Sequence, residues 1–148
     1  MMLQRRSMIH VSLAVVALII IVYPYFSNKP DPEKVEQASV AAVAFLDLLD
    51  NGNFEEAWRQ SATFMREKIP LETWLAQLDQ VRSQVGALRE RTQSDLNYTK
   101  EQIEGIPEGE YLSFFYTSRF DHHATARERV TLYHEAATSW RVAGYFIE

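Results

Sequence analysis

The sequence predicts an α+β domain behind an N-terminal membrane span. Three observations predict it: an uncharged apolar run over residues 8–26, apolar residues at helical spacing from residue 32 to Ser83, and a drop to period two after Gly86. Helices first and antiparallel strands second is the arrangement in which about three helices cover one face of a curved sheet of about four strands.

The span comes first in the chain. From Met8 to Phe26 it reads MIHVSLAVVALIIIVYPYF, without Asp, Glu, Lys or Arg. At about 1.5 Å per residue a helix of that length reaches roughly 28 Å, close to the hydrocarbon thickness of a bilayer. The run exceeds a signal-peptide core, and its exit, Tyr23-Pro24-Tyr25-Phe26-Ser27-Asn28, is bulky where a peptidase wants small residues. A retained anchor is therefore expected, with export after cleavage as the alternative. Tyr23, Tyr25 and Phe26 suit an aromatic belt, and Arg5 and Arg6 before the span outweigh Lys29 after it. That bias puts residues 1–7 in the cytoplasm, 8–26 in the membrane, 27–31 in a linker and 32–148 outside. Arg5-Arg6 could also open a twin-arginine export signal, but the orientation rule already accounts for the pair.

The exported part is globular in composition and acidic. The chain is 47% hydrophobic and 24% charged, as folded domains are. Residues 31–148 hold 12 basic against 20 acidic residues, a net charge of −8. An acidic domain without a basic stripe is a poor partner for nucleic acid, which is excluded. The chain has no cysteine, which removes disulfides, thiolate metal sites, a cysteine nucleophile and a lipidated-cysteine anchor.

Asp31-Pro32-Glu33 is a helix start, with Asp as N-cap, Pro at the first helical position and an acid in the first turn. Val35, Ala38, Ala42, Phe45 and Leu49 then recur at three- and four-residue steps, giving a helix over 32–50. A second helical segment begins after Asn53, with Phe54, Ala57, Trp58, Ser61 and Met65 on one side, and breaks before Pro70. A third runs from Leu71 to Ser83 through Trp74, Leu75, Leu78 and Val81. Beyond Gly86, residues 87–98 read as a mixed-face strand. Leu112, Phe114, Tyr116 and Phe120 alternate with more polar neighbours, as do Val130, Leu132 and His134, and then Trp140, Val142, Gly144 and Phe146. The short links at 121–124 and 136–139 make the last three strands an antiparallel meander.

FLDLLDNGNFEEAW, FMREKIPLETW, VRSQVGALRER, EGEYLSFFYTSRF and the closing ERVTLYHEAATSWRVAGYFIE together resemble the bacterial family called domain of unknown function 4019, from about Ala38 to Ile147. Trp140-Arg141-Val142-Ala143-Gly144-Tyr145 is the most specific piece. The resemblance implies an exported bacterial domain, here in the periplasm behind an inner-membrane anchor, and a cone-shaped fold of the nuclear-transport-factor-2-like (cystatin-like) kind. It implies no activity. Where many members carry Gly in the last hairpin turn, this chain has Ala136-Ala137-Thr138-Ser139, which bears on the turn type.

The residues also offer candidate sites. DLLDNGNFEEAW, at residues 47–58, has the composition of a calcium loop. Aligning Gly52 at the sixth position, however, puts Leu49 third and Trp58 twelfth, where oxygen donors are required. Helix punctuation accounts for the stretch instead: Gly52 ends one helix, Asn53 caps the next, and Glu55 and Glu56 occupy its first turn. Asp121, His122 and His123 are metal-ligand types, but a tight turn rarely converges three of them, so no metal is expected. His10 falls in the span near its cytoplasmic end, within reach of the headgroups.

By parity Tyr116, Glu128 and His134 share the helix-covered sheet face with Leu112, Phe114, Val130, Leu132, Trp140 and Val142. These three are the catalytic candidates, and Trp58, Trp74, Phe114 and Trp140 the candidate lining of a pocket or core. No nucleophile, phosphate loop or metal set accompanies them, so no cofactor is expected. The leading expectation is a non-catalytic binding module for an envelope protein or a small apolar ligand. The alternative is a small cofactor-free hydrolase or isomerase using His134 with Glu128 or Tyr116 in the cone pocket. A third is a domain that only docks, its interior filled by Trp58 and Trp74.

Overall fold

The Asp31 carboxylate accepts the Glu33 N–H at 2.9 Å and Pro32 opens α1 (Pro32–Asp50), as the cap sequence predicts. The computed structural model describes residues 29–100, 104–136 and 139–148, and Asp31–Glu148 form one compact unit. Residues 8–26, on which the membrane-span expectation rests, lie outside the described residues; among those described, no helix is long and apolar enough to cross a membrane.

Ala38, Ala42, Phe45, Leu46 and Leu49 bury one side of α1 against the sheet. The two alanines let the helix approach closely, while each large side chain contributes roughly 1.5–3 kcal/mol on burial. At its end, Asn53 N–H donates to Leu48 C=O at 2.8 Å and Gly52 N–H to Leu49 C=O at 3.1 Å. This is a Schellman closure, made possible by the positive φ of Gly52, +74°.

The second helical segment departs from expectation by dividing in two, α2 (Phe54–Arg59) and α3 (Thr63–Lys68). Ser61 Oγ turns back to Ala57 C=O at 2.8 Å, and Ala62 N–H leaves the helix to donate to Val142 C=O at 2.8 Å. Asn53 holds the N-cap position of α2 without a side-chain cap bond. Ile69 is extended, as a residue before proline prefers, and α4 (Leu71–Val85) follows Pro70. Two indoles fasten these short pieces: Trp58 Nε1 donates to Ile69 C=O and Trp74 Nε1 to Phe54 C=O, each at 2.8 Å.

Four antiparallel strands follow in meander order: β1 (Leu88–Thr99), β2 (Tyr111–Phe120), β3 (Ala126–Ala136) and β4 (Ser139–Ile147). The mixed-face segment is thus a full strand, paired with β2 along its length and irregular at Leu88–Glu90 and Gln93–Asp95. Leu112, Phe114, Tyr116, Val130, Leu132, Trp140 and Val142 are all buried on one face, as parity predicts.

One parity assignment fails. Leu132 pairs with Val142 but Thr131 with Gly144, so Ala143 is an extra residue and the alternation reverses beyond it. Tyr145 therefore joins the buried cluster, and Phe146, grouped by its spacing with Trp140 and Val142, is 51% exposed.

Candidate functional site

Six elements each send one polar side chain to a common point. These are Asp50 and Arg82 from the last turns of α1 and α4, Arg91 from β1, Ser118 from β2, Glu128 from β3 and Tyr145 from β4. Glu128 is at the centre and 1% exposed. Its Oε2 accepts Arg91 Nε and Ser118 Oγ, both at 2.6 Å. Its Oε1 accepts the Tyr145 hydroxyl at 2.7 Å and Arg91 Nη2 at 3.1 Å, with Arg82 Nη1 3.7 Å away. Asp50 binds Arg91 through Nη1 at 2.6 Å and Nη2 at 3.0 Å, and also binds Arg82.

Two carboxylates face two guanidinium groups, so the formal charges cancel and no buried ion is left alone. Burial pushes the Asp50 carboxyl up, but hydrogen bonds from Arg91 and Arg82 outweigh it and hold the group below the usual carboxylate value. Burial opposes the charge on Arg91, and Asp50 and Glu128 more than restore it. The Tyr145 hydroxyl is pushed far up by burial and by the Glu128 charge, and stays a proton donor. A carboxylate offers about four acceptor positions, and those of Glu128 are taken. It has neither a free lone pair nor a solvent path with which to act as a general base.

A second cluster surrounds Glu110. Its carboxylate accepts Lys34 Nζ at 2.6 Å and the Tyr98 hydroxyl at 2.5 Å, and His134 Nδ1 is 3.3 Å away. His134 also stacks on Trp140, with centroids 4.8 Å apart. Burial raises and the Lys34 and Tyr98 hydrogen bonds lower the pKa of Glu110, for a net depression.

His134 and Glu128 share a sheet face, but the structure does not bring them together. They stand six residues apart on β3, roughly 20 Å along an extended strand, and each has other partners. Tyr116 is directly opposite Glu128 in register, yet its buried hydroxyl has no hydrogen-bond partner among the described residues. Among the candidate lining residues, Phe114 and Trp74 are core, Trp58 is partly buried, and Trp140 is buried but also borders a groove. Among the described residues no three metal-ligating side chains converge, at Asp121–His123 or elsewhere.

Asp50, Arg82, Arg91, Ser118 and Tyr145 escaped the reading of the sequence. Two of them had a signal. Arg82 lies one turn beyond Leu78 in the stripe Trp74, Leu78, Arg82, Val85, and Asp50 one turn beyond Leu46, so each is a charge in phase with the core.

The groove lies between α1 and β4 and encloses about 310 Å³. Phe45, Trp140 and Val142 supply buried apolar lining, Val40 and Ala44 exposed lining, and Gln37 and Arg141 polar edges. Val40 is 66% exposed and its neighbour Val43 is 49% exposed.

The fold and the site define a small α+β domain organised around one closed ionic cluster. A family model described as "Protein of unknown function (DUF4019)" matches residues 41–145, and the chain belongs to that family. No curated protein matches the chain.

Proposed function

We propose that the chain is a non-catalytic binding module, anchored in the bacterial inner membrane by residues 8–26 and facing the periplasm, which holds a protein partner in the α1–β4 groove. The apolar surface that α1 leaves in water carries this reading. Val40, Val43 and Ala44 are exposed beside the groove, while the Glu128 carboxylate is saturated by hydrogen bonds from within the domain. At about 310 Å³ the groove is at the lower end of small-molecule sites, which suits one or two apolar side chains of a partner segment better than an enclosed ligand. The order of helices before an antiparallel meander supports the nuclear-transport-factor-2-like reading, and the uncharged run with its aromatic exit and preceding arginines supports the anchor. The separation of His134 from Glu128 weighs against a hydrolase or isomerase built on that pair.

Two measurements test the proposal. The intact mass of the chain in the membrane fraction should include residues 1–26; a soluble chain starting after Phe26 would overturn the anchor. Anilinonaphthalene sulfonate, an anionic dye that reports apolar surface, should bind saturably and lose its site in Ala44→Glu. Binding that ignores this exposed substitution, or no binding, would remove the groove from the proposal.

A further inference from the structure

The sheet face away from α1 carries a row that crosses all four strands: Asp95 on β1 faces Phe115 on β2, which faces Arg129 on β3, which faces Phe146 on β4. Residues facing one another across strands project on the same side. The Arg129 guanidinium lies 5.7 Å from the centre of the Phe146 ring, which is half exposed. Two residues along β3, Arg127 projects on the same side, its backbone bonded both ways to Glu148 at 2.7 and 3.0 Å. Phe115, Arg127, Arg129, Phe146 and Glu148 border a depression of about 230 Å³.

Most arginines of the domain are paired: Arg59, Arg82, Arg89, Arg91, Arg119 and Arg141 each hold a carboxylate, and Arg66 lies over the Trp58 ring and bonds Thr63 Oγ1. Arg127 and Arg129, both exposed, form no ion pair among the described residues, although Glu148 borders the same depression and Asp95 ends the row. Two exposed guanidinium groups without an ion pair offer a carboxylate from outside a complementary local contact, made against the long-range repulsion of a domain of net charge −8. Residues two apart on a strand are roughly 7 Å apart, the spacing of alternate side chains on an extended peptide. The flanking phenyl rings offer apolar contact to whatever adjoins the carboxylate.

We infer that this face is a second docking surface, for an acidic peptide segment that presents carboxylates to Arg127 and Arg129 and an apolar side chain to Phe115 and Phe146. It is independent of the groove reading, since the two surfaces share no residue.

A fluorescent peptide with Glu, Glu and Phe at successive alternate positions and Ser between them, so that all three project on one side when extended, titrated against the full-length chain in detergent micelles, tests the inference. Binding should weaken as salt rises, fall about tenfold or more in Arg129→Gln, and fall less in Arg129→Lys, which keeps the charge but loses the planar fork. Phe146→Ala should weaken it further, and Ala44→Glu in the groove should leave it unchanged. Equal binding of a Lys–Phe control peptide, or indifference to both arginines, would overturn the inference. So would arginine-dependent binding to anionic vesicles or arginine-dependent self-association without peptide binding, which would assign the surface to lipid or to a second copy.

Discussion

Gly52 and Gly86 both close helices with positive φ, at +74° and +79°, but for different reasons. At Gly52 an added Cβ would meet nothing within 4 Å, so a side chain there costs only backbone strain. Gly86, with ψ at −161°, occupies a region essentially reserved for glycine, and its Cβ would meet His122 Cδ2 at 2.8 Å and the Asp121 Cβ at 2.9 Å. Gly52→Ala should therefore lower stability by about 1 kcal/mol, whereas Gly86→Ala should lose about 3 kcal/mol by adding a clash to the strain. Urea denaturation of the two variants checks the order; equal losses would mean that the β2–β3 turn yields freely to the helix end. Both glycines were visible in the sequence as punctuation. The His122 contact was not, because it joins residues far apart in the chain.

The elements were legible where one period held throughout. α1, α4 and the inner faces of β2 and β3 follow their apolar spacing, because a single buried face decides the register of each. Legibility failed where a tertiary contact outweighed the local pattern. The apolar spacing of Phe54, Ala57, Trp58, Ser61 and Met65 continues through the break between α2 and α3, but Ala62 N–H gains a partner on β4 by leaving the helix. At Ala143 one extra residue exchanges the faces of Tyr145 and Phe146, and so creates both the last ligand of Glu128 and the exposed ring beside Arg129. The adjoining Gly144 is the kind of strand glycine that marks such a bulge, though Gly alone does not say in which direction the alternation shifts. The catalytic candidates were placed on the correct face by parity. Parity does not encode distance along a strand, but the six-residue spacing of Glu128 and His134 does, at about 3.3 Å per residue, so their separation was legible in the sequence.

Across the whole domain, the ionic cluster ties six elements together, and part of its contribution depends on the charge of Asp50. Asp50 carries the testable share, since its folded-state pKa is below the ordinary value. The unfolded chain then binds more protons than the folded one between the two pKa values, so stability rises with pH in that window. The contribution is complete above about pH 4, near the unfolded carboxyl pKa, and is lost as pH falls through the depressed folded value. Glu110, depressed in the same direction, adds a loss that begins slightly higher, as befits a glutamate. Asp50→Asn keeps the shape but leaves Arg82 and Arg91 to share Glu128, and should reduce stability by roughly 3 kcal/mol at neutral pH. The gap between wild type and Asp50→Asn should narrow steadily below pH 4, as the wild-type carboxyl takes up its proton and becomes equivalent to the amide. Denaturation midpoints followed from neutral pH into acid read this directly. A gap that stays constant across the range would mean that the substituted amide fails through packing, and that the ion pairs at the centre of the fold contribute nothing that depends on charge.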